Sequence, residues 1–129
     1  MTKLEVTKIV PYQNNMKHTR YGAYPTQNLK NYQQEIKKQL ANANTSLYKE
    51  AKKLELNIYF VFKIPKSWNK AKKEKAKWHN IKPDIDNLVK SVMDSFNGVV
   101  YVDDGQVVSI QARKQYANFT GVKIEIEEI

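Results

Sequence analysis

At 129 residues and a formal net charge of +9 (22 Lys and Arg against 13 Asp and Glu), the chain suits one compact domain and is basic enough to meet a polyanion. The absence of cysteine excludes disulfides, thiolate zinc sites, iron–sulfur clusters and cysteine nucleophiles, and the four glycines form no phosphate-cradling loop. No apolar run approaches the roughly 18–20 residues of a membrane-spanning helix, and Met1-Thr2-Lys3-Leu4-Glu5 is not followed by the apolar stretch of a signal peptide, so a cytoplasmic chain with no membrane partner is expected.

Residues 1–129 read as one domain without repeats or long linkers. Leu4–Val10 alternates apolar and polar residues and predicts a strand, whereas Pro11–Tyr24 is polar and irregular. Thr26 is an N-cap candidate for a helix reaching about Ala43, with Leu29, Tyr32, Ile36 and Leu40 on its apolar side. A short helical piece is expected at Ser46–Lys52. Leu54–Phe62 is the clearest strand: Leu54, Leu56, Ile58, Phe60 and Phe62 share one face, and Glu55, Asn57, Tyr59 and Val61 the other. Lys63–Lys82 is crowded with lysines, with Trp68 and Trp78 among them. A helix follows over about Asp86–Phe96, burying Leu88, Val89, Val92, Met93 and Phe96, with Asn97-Gly98 as its stop. Val99–Val102 reads as a strand, Asp104-Gly105 as a hairpin turn, and Val107–Tyr116 and Val122–Glu127 as the strands that complete a sheet. The expected class is α+β: a small mixed or antiparallel sheet of about four to five strands with two principal helices.

With only His18 and His79 as histidines, any chemistry falls mainly to carboxylates and lysines. Every aspartate lies between Asp84 and Asp104: Asp84, Asp86, Asp94, Asp103 and Asp104. A helix of this length advances about 18 Å, and a strand over Val99–Asp103 covers roughly 16 Å. If the strand returns antiparallel, Asp103 and Asp104 come back to Asp84 and Asp86, with Lys90 one turn after Asp86. Hard cations such as Mg²⁺ take oxygen ligands. Held by two or three carboxylates, they lower the pKa of a water and neutralise charge developing at a phosphodiester, and a lysine can share that task.

Plainer roles exist for each residue alone. Asp84 or Asp86 could cap the helix, Asp104-Gly105 could be only a turn, Asp94 could be a solvated surface residue, and Lys90 could pair with Asp86 or Asp94. Together, however, two aspartates flanking Ile85, a lysine one turn on and an aspartate pair at the return point exceed what caps and turns require. A calcium loop starting at Asp84 is excluded: its sixth position is Val89 and its twelfth Ser95, where glycine and glutamate are needed.

The run Lys82-Pro83-Asp84-Ile85-Asp86-Asn87-Leu88-Val89-Lys90, then Asp94, Asn97-Gly98, Tyr101 and Asp103-Asp104-Gly105-Gln106-Val107, closely resembles the signature of RusA-type Holliday junction resolvases. Phe60–Asn69, with Ile64-Pro65-Lys66-Ser67-Trp68, resembles the family's segment between central strand and basic loop, and the resemblance covers most of the chain. It implies a RusA-like α+β homodimer and Mg²⁺-dependent hydrolysis of four-way DNA junctions by paired nicks in recombination and repair, with Mn²⁺ as a substitute metal, in a bacterial or phage-infected cell. It further implies Asp84, Asp86 and Asp104 as metal-binding carboxylates, Asp103 as an accessory acid at the metal, and Lys90 as the catalytic lysine. The early basic segment departs from the commoner Arg-Pro-Arg-like pattern, reading Asn15-Met16-Lys17-His18-Thr19-Arg20.

The DNA-binding candidates are Lys17, Arg20, Lys66, Lys70, Lys72, Lys73, Lys82, Arg113 and Lys114, although a lysine run is also what a solvated loop looks like. Trp68 and Trp78 could stack on splayed bases or pack beneath a loop. A two-fold dimer would place two active sites on a two-fold junction. Two other functions compete: a phage nuclease for other branched or single-stranded DNA, and a non-catalytic nucleic-acid binder.

Overall fold

The computed structural model describes residues 2–43, 53–97 and 104–129, with the backbone alone at 104. In chain order the elements are β1 (Thr2–Val6), β2 (Met16–Thr19), β3 (Gly22–Pro25), α1 (Gln27–Asn42), β4 (Leu54–Lys63), α2 (Lys70–Lys75), α3 (Ile85–Asp94), a 3₁₀ turn at Asp104–Gln106, β5 (Val107–Ala117) and β6 (Gly121–Glu128). Four strands form a mixed sheet in the order β1-β6-β4-β5, and β2 pairs with β3 in a separate hairpin. The architecture is the α+β class expected. The expected helical piece at 46–52 and strand at 99–102 lie outside the described residues.

The alternation in β4 does what it predicts. Leu54, Leu56, Ile58 and Phe60 are wholly buried, while Glu55, Asn57 and Tyr59 are half-exposed. Their face joins Leu4, Val6, Val122, Ile124 and Ile126 from the neighbouring strands. Leu29, Tyr32, Ile36 and Leu40 of α1 and Leu88, Val92 and Phe96 of α3 and its exit cover that face. Thr26 caps α1 as expected, its side-chain oxygen accepting from the Leu29 amide at 3.3 Å. β4 ends differently from the reading: Val61 is buried and Phe62 only half-buried, so the strict period breaks in its last turn of sequence.

Three local expectations are corrected. The first strand stops at Val6 rather than Val10. Its outer edge is met by Gln39 of α1, whose side-chain amide donates to the Glu5 carbonyl at 2.6 Å and accepts from the Glu5 amide at 3.3 Å. The segment read as irregular contains the β2–β3 hairpin, with Lys17 opposite Tyr24 and His18 opposite Ala23. Both of its arms are largely solvent-exposed, so no apolar alternation marked them. Within the lysine-rich stretch, Lys70–Lys75 is helical with no buried residue, and Asn69 caps it by accepting from the Lys72 amide at 2.8 Å.

β4 pairs with β6 antiparallel but with β5 parallel. A parallel neighbour requires a long crossover, and the chain between Lys63 and Val107 supplies it, carrying α2 and α3. Asp84 and Asp86 therefore sit in the crossover. Among the described residues no helix is long and apolar enough to cross a membrane.

Candidate active site

Asp84 and Asp86 stand at the start of α3, where the helix dipole favours carboxylates. Asp84 occupies the N-cap position with extended backbone, yet its side chain makes no capping hydrogen bond. Capping therefore does not account for its carboxylate. Asp86 Oδ1 accepts from the Asn87 amide at 2.9 Å. Both residues are exposed.

Two clefts meet at Asp84. The larger, about 1000 Å³, is lined by Trp78, Ile81, Lys82, Asp84, Asp86, Arg113 and Lys114, with His79 in its wall. The smaller, about 570 Å³, runs past Tyr12, Met16, His18, Asp84 and Asn87. The β2–β3 hairpin thus borders Asp84 through Met16 and His18, whereas its Lys17 and Arg20 line neither cleft, and the chain leaving α2 borders it through Trp78, Ile81 and Lys82. Arg20 at the hairpin turn donates to the Tyr21 hydroxyl at 2.7 Å, and both residues are exposed.

Lys90 extends from the next turn of α3, its Nζ 4.6 Å from the centre of the Tyr12 ring. The Tyr12 segment is fastened across the helix. Its amide donates to the Asn87 carbonyl at 3.1 Å, Asn87 Nδ2 donates to Gln13 Oε1 at 3.2 Å, and the buried Ser91 hydroxyl donates to the Val10 carbonyl at 2.7 Å. Among the described residues Lys90 forms no ion pair with Asp86 or Asp94. Tyr12 and Asn87 thus also shape the site. Asn87 lies inside the acidic motif and could have been found there, but nothing local marks Tyr12.

Asp104 opens the 3₁₀ turn that feeds β5, and about 16 Å of strand separates Val107 from Ala112, which lines the larger cleft. Asp103 and the Asp104 side chain lie outside the described residues. Among the described residues no group of three or more histidine, aspartate or glutamate side chains gathers to hold a metal. Asp84 and Asp86 nevertheless fit a hard divalent cation: they are oxygen donors, exposed beside a cleft, and one is free of helix capping. Mg²⁺ commonly takes only one or two protein carboxylates together with water and phosphate oxygens.

The basic residues divide into two kinds. Lys66, Lys70, Lys72, Lys73 and Lys82 are exposed, as is Arg113, which lies 5.8 Å from the Tyr59 ring centre. Lys72 Nζ stands 4.2 Å from the ring centre of Trp68, which packs edge-on against Tyr116 at 5.1 Å. Trp68 is therefore a packing residue beneath α2, whereas Trp78 is 53% exposed at the cleft. Lys114 differs: it is half-buried, and its Nζ donates to the carbonyls of Ile81 and Pro83, each at 2.6 Å.

His79 lies under the same segment, buried and stacked on Phe62 at 3.9 Å, with its Nδ1 unpartnered. Burial, reinforced by the charge of Lys114, lowers its pKa below the ordinary 6.5, and its backbone hydrogen bond opposes the shift. The folded state thus resists a proton that the unfolded chain accepts. The associated stability is complete above about pH 6.5 and is lost as pH falls below it, at up to about 1.4 kcal/mol per pH unit. Urea midpoints measured from pH 7.5 down to pH 5 should fall less steeply for His79→Phe than for the wild type. Parallel slopes would show that His79 is not the group responsible.

Comparison with known proteins shows which family the chain resembles. The model of the family described as Endodeoxyribonuclease RusA matches residues 7–127. An uncharacterized protein of Bacillus subtilis (strain 168), YqaN, is 39% identical over 72 residues, covering 51% of this chain and 51% of that protein. The crossover junction endodeoxyribonuclease rusA of Lactococcus phage r1t is 34% identical over 77 residues, covering 59% of this chain and 55% of that protein. The chain spans about half the length of the curated relatives it matches. The family match runs from the end of β1 to the end of β6 and takes in both clefts, α3 and its paired aspartates: the chain belongs to the RusA endodeoxyribonuclease family.

Proposed function

We propose that the protein is a Mg²⁺-dependent endodeoxyribonuclease that resolves four-way DNA junctions during recombination and repair, acting as a homodimer. The observation that carries this reading is the pair Asp84 and Asp86, exposed at a helix start beside a cleft lined by Lys82, Arg113 and Lys114, with the Asp84 carboxylate not engaged in capping. A protein that only bound DNA would gain nothing from carboxylates placed there, since they repel phosphate. Membership of the family and the 34%-identical phage relative, named for crossover junctions, support the substrate.

In this reading Asp84 and Asp86, joined by Asp104 with Asp103 as accessory, hold the metal. Bound Mg²⁺ supplies Lewis-acid polarisation of the phosphodiester and activation of water. The water oxygen bonds to phosphorus, the P–O3′ bond breaks, and the departing oxygen takes a proton, leaving 5′-phosphate and 3′-hydroxyl ends. Lys90, steadied against the Tyr12 ring, stabilises negative charge growing on the phosphoryl oxygens. A two-fold dimer presents two such sites to the opposed strands of the junction. The test is cleavage of a synthetic four-way junction with and without Mg²⁺, set against flap, duplex and single-stranded DNA. Faster cleavage of another form reassigns the substrate, and inertness on all of them leaves the binder.

The exposed lysines of α2 supply affinity through phosphate contacts. Junction binding measured in EDTA should weaken steeply with salt. The double variant Lys72→Ala/Lys73→Ala should reduce the slope of log K against log salt by about 1.8, close to 0.9 for each lost contact. An unaltered slope would place these lysines off the DNA.

A further inference from the structure

The chain between α2 and α3 runs antiparallel along β5 and then leaves it. The Tyr116 amide donates to the Lys77 carbonyl at 2.9 Å, Trp78 bridges Gln115, and the His79 amide donates to the Lys114 carbonyl at 3.0 Å. From 80 to 83, among the described residues, no backbone hydrogen bond joins the segment to β5. Instead the Lys114 ammonium reaches across and donates to Ile81 O and Pro83 O, both at 2.6 Å. The next residue is Asp84.

We propose that Lys114 is a positioning residue: its ammonium clamps the 81–83 segment to β5 and so sets where Asp84 and Asp86 stand in the cleft. The proposal rests on the reading of those aspartates as the metal-binding pair. Three features favour a clamp over a DNA contact. Charge-assisted bonds of this length are stronger than neutral ones. An ammonium has only three donors, and two already face backbone carbonyls. Lys114 is half-buried, unlike the exposed lysines of α2 and its neighbour Arg113. A lysine fixed in this way holds the chain that precedes the aspartates. The geometry matters because displacing a reacting group by about 1 Å can cost about a hundredfold in rate.

The experiment compares wild type, Lys114→Met and Lys114→Arg in the full chain. It reads junction cleavage at saturating DNA with Mg²⁺, and Mn²⁺ affinity from paramagnetic broadening of the Asp84–Asp86 amide signals. It also reads junction affinity in EDTA as a function of salt. The clamp predicts that Lys114→Met cuts about 10–100-fold more slowly and binds Mn²⁺ more weakly. Its junction affinity and salt slope should be unchanged, and Lys114→Arg, which keeps donors for both carbonyls, should recover most of the rate. Wild-type cleavage and Mn²⁺ affinity in Lys114→Met would overturn the proposal. So would a loss confined to junction affinity, with the salt slope reduced by about one contact. If the wild type neither cuts junctions nor binds Mn²⁺ at these amides, the metal assignment fails. The metal-free amide shifts of Ile81, Lys82, Asp84, Ile85 and Asp86 then decide the clamp, and unchanged shifts in Lys114→Met refute it. Should Lys114→Met not fold, Lys114→Gln, which cannot span the same distance, is read by the same criteria.

Discussion

Replacing Asp86 by asparagine should abolish junction cleavage while leaving junction binding intact. The substitution is nearly isosteric, and the remaining side-chain oxygen can still accept from the Asn87 amide, as Asp86 Oδ1 does at 2.9 Å. Residue 86 is exposed and contributes nothing to the core, so the fold should be unaffected. What changes is one unit of negative charge and one hard anionic oxygen donor beside the cleft. Losing a metal-held stabilisation of several kcal/mol corresponds to roughly a thousandfold in rate, at about 1.4 kcal/mol for each factor of ten. Binding in EDTA should be equal or somewhat tighter, because a carboxylate that repels phosphate has gone. Single-turnover cleavage and gel-shift assays on one synthetic junction measure both effects. Cleavage by Asp86→Asn at the wild-type rate would remove the carboxylate from the mechanism, and weaker binding without metal would make it a positioning group for DNA.

Phe60→Ala should instead unfold much of the protein. Phe60 is wholly buried in β4, opposite Lys114 of β5 on one side and Val122 of β6 on the other. Removing a buried phenyl ring costs about 3–5 kcal/mol, through lost transfer energy and the cavity left behind. Against a typical total of about 5–15 kcal/mol, that is a large fraction of the stability. The urea midpoint should drop sharply, and activity should fall with the folded fraction. Tyr59→Ala, one residue earlier on the half-exposed face, should cost much less. Equal losses at the two positions would contradict the one-sided burial of β4. The contrast with Asp86→Asn is diagnostic: one variant is folded and inactive, and the other is inactive because it is unfolded.

Some of the architecture is legible from local pattern. α1 is announced by Thr26 and by Leu29, Tyr32, Ile36 and Leu40 at helical spacing, since the same residues that cap and bury it also mark it. β4 is announced by alternation because only one of its faces meets the core. The β2–β3 hairpin and α2 carry no such mark. Neither buries an apolar face, so their backbone hydrogen bonds form without the periodicity that reveals a packed element. The parallel pairing of β4 with β5 is equally invisible, because which strand occupies an edge depends on how the crossover between them folds.

The candidate site divides along the same line. The motif from Lys82 to Lys90 is legible in the sequence, because paired aspartates at a helix start, with a lysine one turn on, are a local arrangement that sequence spacing dictates. The surroundings of that motif are a matter of long-range contact. Tyr12 comes to lie against Lys90 from 78 positions away in the chain, and the Lys114 ammonium reaches Ile81 and Pro83 across 33 and 31 positions. In the sequence Lys114 is one more cation in a +9 chain; in the fold it is a clamp on the backbone before Asp84. The sequence by itself thus determines the helices and strands that face the core, and the charges that can do chemistry. Only tertiary structure decides which of those charges stay in solvent and which turn inward, because burial and hydrogen-bond partners arise when distant segments pack.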